Sequence, residues 1–177
     1  MNGRVLVAYA SKHGSTAEIA QAIGEALAEM GFTTDVRPAR EVRSLDEYSA
    51  VIVGSVVQMN RWRGDALDFV KRFERDLQAR PTWLFSSGPT GGSPEADALV
   101  VSAAASPDAV PPPKDIAKRA AKIGARGHAT FPGKVGEGVG GIFERWVPKG
   151  DWRNFDAIKA WARGIGTELG RLAAPVR

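Results

Sequence analysis

The run Arg4-Val5-Leu6-Val7-Ala8-Tyr9 and the polar hexapeptide Ser11-Lys12-His13-Gly14-Ser15-Thr16 lead into apolar residues at positions 19, 23, 27 and 30; together they decide the fold. Arg4–Tyr9 has no polar alternation, so it reads as a strand buried on both faces. Ile19, Ile23, Leu27 and Met30 form one stripe of a helix over about Thr16–Met30, which Gly31 closes. The same grammar continues outward. Thr33–Arg37 is a second strand stopped by Pro38, and Ser49–Ser55 is a wholly apolar third. Ala66–Leu77 is a helix carrying Phe69, Val70, Phe73 and Leu77, and past Pro81 comes the strand Thr82–Ser87. Continuous apolar strands alternating with helices predict an α/β fold with a parallel sheet covered on both faces.

The second half is less regular. Residues 88–113 are rich in Gly, Pro, Ser and Ala and read as a long loop insertion. Lys114–Ile123 is a basic helix, and His128–Phe131 is the last strand. A Gly-rich stretch at 132–155 holds Trp146 and Trp152. The closing helix, about Phe155–Leu172, sets Ile158, Trp161, Ile165, Leu169 and Leu172 on one face. No internal repeat or second domain is visible, so residues 1–177 are expected to form one domain.

Composition narrows the chemistry. The 177 residues are 44% hydrophobic and 25% charged, as in an ordinary globular domain. There is no cysteine, which excludes thiolate catalysis, cysteine-ligated zinc and iron–sulfur clusters. No apolar run reaches the roughly 18 residues a membrane span needs, and Met1-Asn2-Gly3-Arg4 fits no signal peptide, so a cytoplasmic location is expected. The net charge of +4 is unevenly spread. Residues 1–100 hold 11 Lys/Arg against 13 Asp/Glu, and residues 101–177 hold 13 against 7.

Ligands of a doubly wound sheet bind outside the carboxyl ends of its strands. Ser11–Thr16 lies there, and its hydroxyls, its glycine and the free N–H groups of a helix start can wrap a phosphate. It is neither a Walker loop nor G-x-G-x-x-G. The alternative is that Ser11 or Ser15 simply caps the helix.

Here the chain resembles the flavodoxin family. An apolar strand ending in an aromatic residue, then S/T-x-x-G-x-T, then Ala and an aliphatic residue, is supplied by Val7, Tyr9, Ser11, Gly14, Thr16, Ala20 and Ile23. Ile52-Val53-Gly54-Ser55 extends the likeness to the third strand. Ala8 is smaller than the family's usual residue, and Lys12 and His13 make the loop more cationic. The resemblance implies a three-layer, five-stranded parallel sheet of order 2-1-3-4-5 and noncovalent FMN. Ser11, Lys12, His13, Gly14, Ser15 and Thr16 would then hold the ribityl phosphate.

Within that superfamily the chain is similar to bacterial quinone-linked protoporphyrinogen IX dehydrogenases. The similarity lies in the run from the third strand through Ser55–Arg63, a long insertion before the last strand, and Asp151-Trp152 ahead of a helix. It implies a porphyrin or quinone-type small molecule as partner.

By the same resemblance, two further loops would enclose the flavin. One is Val56, Val57, Gln58, Met59, Asn60, Arg61 and Trp62; the other is Ser87, Gly88, Pro89, Thr90 and Gly91. Trp62 is the candidate to lie against the ring, the alternative being a tryptophan packed on the second helix. No glycine lies between Val56 and Arg63, and Asn60 is the residue there that best tolerates a left-handed backbone. Arg61 and Arg63 flank this loop, and positive charge near the ring favours an anionic reduced flavin. That points to two-electron oxidoreductase chemistry rather than a noncatalytic electron-transfer flavodoxin; a flavin-free scaffold is the third reading.

Other signals carry less. Gly136-x-Gly138-x-x-Gly141 follows the last strand, where a flexible loop explains it. The two histidines lie far apart in sequence, and no metal-ligand spacing is present. His13 is assigned to phosphate and His128 to the core. Lys114, Lys118, Arg119, Lys122, Arg126 and Lys134 form the densest basic stretch. It reads either as a solvated face or as a contact for porphyrin carboxylates or the anionic inner face of a membrane. No aromatic interleaving accompanies the charges, so nucleic acid is not expected.

Overall fold

The computed structural model describes residues 3–88, 107–135, 150–151 and 153–174. Five strands form the parallel sheet: β1 (Arg4–Ala10), β2 (Thr33–Pro38), β3 (Ala50–Gln58), β5 (Thr82–Ser87) and β6 (Gly127–Phe131). Their spatial order is β2-β1-β3-β5-β6, which is 2-1-3-4-5 when the parallel strands alone are counted. The sixth strand of this sheet is β4 (Arg61–Trp62), a two-residue antiparallel addition to the end of β3. A separate pair joins β7 (Lys134–Val135) to β8 (Gly150–Asp151).

Residue alternation along the strands assigns the two helical layers. Val5 and Val7 of β1, Ile52 of β3 and Phe85 of β5 pack with α1 (Ser15–Glu29) and the C-terminal helix α5 (Phe155–Ala173). Their neighbours Leu6, Ala8, Val51, Val53 and Leu84 face the opposite layer. That layer holds α2 (Gly64–Arg72), α3 (Glu74–Gln78) and α4 (Lys114–Ile123). Strands buried on both faces explain why the sequence shows runs rather than alternation. Gly54 fits here for a steric reason, since a Cβ would sit 2.0 Å from the Phe85 ring.

Three elements differ from expectation. The helix expected over Ala66–Leu77 is two helices, because Phe73 leaves helical geometry (φ −103°, ψ 21°). Phe73 N–H still donates to Phe69 O and Leu77 N–H to Phe73 O, so the break is a kink that keeps Phe69, Phe73 and Leu77 in the core. The third strand runs three residues past Ser55 before it turns back. Leu172, expected on the buried face of the last helix, is 48% exposed in that helix's final turn. Trp146, Trp152, Gly136, Gly138, Gly141 and most of the 88–113 loop lie outside the described residues.

Candidate functional site

The loop from β1 to α1 organises itself. Ser11 Oγ accepts the Gly14 N–H at 3.0 Å, and Gly14 takes φ 85°, a left-handed value that favours glycine. Gly14 is the N-cap, and no side chain caps α1. The first-turn N–H groups therefore keep the orphan donors that every helix start presents. Thr16 is fully buried, and its Oγ1 has no hydrogen-bond partner. Ser15 Oγ accepts the Lys134 N–H at 3.3 Å, tying this loop to the segment after β6.

A cavity opens at this edge of the sheet. It is lined by Ser11, Lys12, His13, Ser15 and Thr16 from the first loop, by Val56, Val57 and Gln58 from the end of β3, and by Ser87, Gly88, Gly133 and Lys134. Its enclosed space is about 70 Å³, several water volumes and so the size of a phosphate group. Among the described residues no carboxylate lines it, while Lys12, Lys134 and His13 do. Ten of the residues nominated from sequence meet here. Gly133 and Lys134 were missed as lining residues, although the rule that picked the other loops applies equally to the loop after the last strand. Pro89, Thr90 and Gly91 lie outside the described residues.

The hairpin from β3 to β4 is held differently. Met59 (φ 49°) and Asn60 (φ 59°) are both left-handed, as a two-residue type I′ turn requires. Asn60 was expected there; Met59 was not, and a long unbranched side chain is uncommon in that conformation. Behind the turn, Ser55 Oγ accepts the Arg63 N–H at 3.0 Å and donates to Val56 O. Trp62 Nε1–H donates to Ser86 Oγ at 2.8 Å, and Ser86 Oγ lies 2.8 Å from His128 Nε2. The indole can only donate, so Ser86 Oγ accepts from it, and the direction of the Ser86–His128 bond follows the imidazole tautomer. Burial pushes the His128 pKa down to about 4, which the Val110 backbone partly opposes.

Several of the nominated residues lie away from this cavity. Trp62 is only 3% exposed and packs with Phe69 and Val70, so its faces are used inside the core rather than presented to a ligand. Arg63 is paired with Asp65 at 3.1 Å, leaving Arg61 as the loop's uncommitted cation among the described residues. Met59, Asn60 and Arg61 do not line the first cavity. They line a second one with Lys114 and Asp115. The basic stretch is partly consumed by ion pairs, Lys122 with Glu74 at 3.0 Å and Arg126 with Glu168 at 2.6 Å. Arg126 lies beyond α4, which stops at Ile123 before Gly124 turns the chain at φ 65°. Across the β7–β8 pair from Lys134, Asp151 is bonded by Arg153, which also bonds Glu18 and so joins β8 to α1. The guanidinium holds the Asp151 carboxyl below its usual range.

Comparison with known proteins gives a consistent picture. The family model described as a flavodoxin domain matches residues 6–145. Protoporphyrinogen IX dehydrogenase [quinone] of Escherichia coli K12 is 23% identical over 94 residues, 52% of each chain. The chain thus spans about half the length of the curated relatives it matches. Among solved structures, rubredoxin oxygen:oxidoreductase from Desulfovibrio gigas superposes with a TM-score of 0.62 at 19% identity, over 97% of this chain and 37% of that one. A flavodoxin from the domain Archaea gives 0.59 at 18% identity, over 94% and 99%.

Proposed function

The chain belongs to the flavodoxin domain family, whose cofactor is FMN, and on that premise we propose that it is a two-electron oxidoreductase of the quinone-linked protoporphyrinogen dehydrogenase type. The observation that carries the cofactor site is the meeting of four segments, after β1, β3, β5 and β6, on a phosphate-sized cavity with a buried, unpartnered Thr16 hydroxyl in its wall. A buried hydroxyl without a partner is costly, and a phosphate oxygen would satisfy it. Ser11, Ser15 and the open N–H groups of α1 would supply the remaining donors. Lys12, His13 and Lys134 would balance the phosphate charge. Val56, Val57 and Gln58 offer an edge of extended backbone and β-branched side chains to the ring system.

Bound FMN supplies hydride-level redox chemistry at its N5 atom. The chain's own part is to set the field and position the partners. The cations that line the cavity stabilise negative charge there, which favours paired over single electron transfer. The net reaction moves two electrons and two protons from a reduced tetrapyrrole to a quinone, leaving a more oxidised ring and a quinol. Support for this substrate class is the partial relationship to the E. coli dehydrogenase.

The test begins with the cofactor. Purified protein should absorb near 450 nm and release FMN by mass; colourless protein that cannot be reconstituted refutes the reading. Anaerobic titration should then show both electrons entering together, and the protein should turn over a reduced porphyrin with a quinone. Two widely separated one-electron steps and no turnover would instead favour a noncatalytic electron-transfer flavodoxin. That reading draws on the near-complete mutual coverage with the archaeal flavodoxin.

A further inference from the structure

Two tethers fasten the β7–β8 pair to the start of α1. One is the Lys134 N–H on Ser15 Oγ. The other is Arg153, whose guanidinium bonds Glu18 in the first turn of α1 and forks onto Asp151, Nε to Oδ1 at 2.8 Å and Nη2 to Oδ2 at 2.5 Å. Ser15 and Glu18 are three positions apart, so both tethers land on one face of the helix start. Arg153 is itself held in place. The next residue, Asn154, caps α5 by accepting the Ala157 N–H at 3.1 Å, and the guanidinium lies 5.0 Å from the centre of the Phe155 ring.

Arg153 differs from the other ion pairs between these helices. Further along α1 and α5, Lys159 meets Glu25 at 3.9 Å and Arg163 meets Glu29 at 3.2 Å, with all four side chains at least 31% exposed. Such pairs contribute little. The Arg153 side chain is 5% exposed and takes two acids where they take one each. Asp151 stands opposite Lys134 across the β7–β8 pair, and the Lys134 ammonium adds, after Arg153, to the lowering of its carboxyl. Lys134 lines the first cavity and is in no ion pair among the described residues. Without Arg153, Asp151 would keep Lys134 as the cation across from it. Glu18, whose N–H bonds Gly14 O, would stand uncompensated one helical turn from the loop at Ser11–Thr16.

We propose that Arg153 is a positioning residue for the cofactor's phosphate: by holding Asp151 and Glu18 it leaves the Lys134 ammonium to the cavity, and it fixes the strand pair that carries Lys134 against α1. It acts through Lys134 rather than by contact, and the inference rests on the FMN site proposed above. Its consequence is selective. A phosphate dianion gains from that cation and a neutral flavin does not, so losing Arg153 should weaken the first and spare the second.

The experiment titrates FMN-free protein with FMN and with riboflavin, which lacks the phosphate, and follows the change in flavin fluorescence. Arg153→Gln should weaken FMN about tenfold and change riboflavin by less than about twofold. Lys134→Gln, at an exposed position, should weaken FMN by a similar factor, and R153Q/K134Q should bind within about twofold of K134Q alone. Adding Asp151→Asn to R153Q should bring FMN affinity back to within about threefold of wild type, because the acid that captures Lys134 is gone. Equal losses for the two flavins in R153Q, or no recovery with D151N, mark a merely structural contact and overturn the proposal. So does a K134Q protein that binds FMN like the wild type, which decides the matter even where R153Q fails to fold. A chain that takes neither flavin refutes the FMN reading instead. Thermal stabilisation by inorganic phosphate then reads this proposal, and equal stabilisation of wild type, K134Q and R153Q overturns it.

Discussion

Two loops end at the same edge of the sheet and are held by opposite means. The β1–α1 loop is built from its own residues: Ser11 bonds Gly14 three positions on, and the glycine's positive φ starts the helix. The β3–β4 hairpin is built from elsewhere. Its Trp62 is fixed by Ser86, 24 positions away in sequence, and Ser86 by His128, 42 further on. The first loop can therefore change its exposed side chains with little effect on the fold. The second cannot lose its buried anchor without loosening the sheet end that lines the cavity.

The most severe test of that contrast is Trp62→Ala. It removes a 3%-exposed ring and one buried hydrogen bond, and should cost about 3–5 kcal/mol in chemical denaturation. Replacing the exposed Lys12 should change stability by less than about 0.5 kcal/mol. A similar loss for Lys12→Ala would break the comparison.

Next comes the pH dependence of the hairpin's anchor. His128 has a folded pKa of about 4, below its ordinary 6.5, so between these values the unfolded chain binds the extra proton. Stability should be full above pH 6.5 and decline as pH falls toward 4, by at most about 3 kcal/mol. His128→Gln should flatten that slope when unfolding free energy is measured across the range. An unchanged slope would mean that the proton goes elsewhere.

Gly14→Ala sharpens the other side of the comparison. A Cβ at Gly14 meets nothing within 4 Å, so only the left-handed backbone resists it. The expected cost is about 1–2 kcal/mol by thermal or chemical unfolding. A smaller effect, of opposite sign, is expected from Thr16→Val. Removing an unpartnered buried hydroxyl should stabilise the FMN-free protein by about 1 kcal/mol while weakening FMN binding about tenfold, two measurements of opposite sign. A loss of apoprotein stability would show that Oγ1 is already satisfied.

Much of this was legible from residue pattern. β5 and α4 fall where Thr82–Ser87 and Lys114–Ile123 were read, because Pro81 and Pro113 border both segments and the intervening residues are regular. The β1–α1 loop was legible because its geometry is local. The kink at Phe73 was not, because an unbroken apolar stripe looks the same whether the backbone beneath it bends or not. The partners of Arg63, Lys122 and Arg126 were equally hidden, since charge in a sequence does not say which charges meet.

The sequence by itself determined the layered α/β fold and the local turn at Ser11–Thr16 that starts the first helix. Each follows from short-range periodicity and from the backbone freedom of glycine. The tertiary structure alone decided that Trp62 is core, that Gly133 and Lys134 complete the first cavity, and that Met59–Arg61 turn toward a second. Those outcomes depend on side chains that are distant in sequence and neighbours only after the sheet assembles.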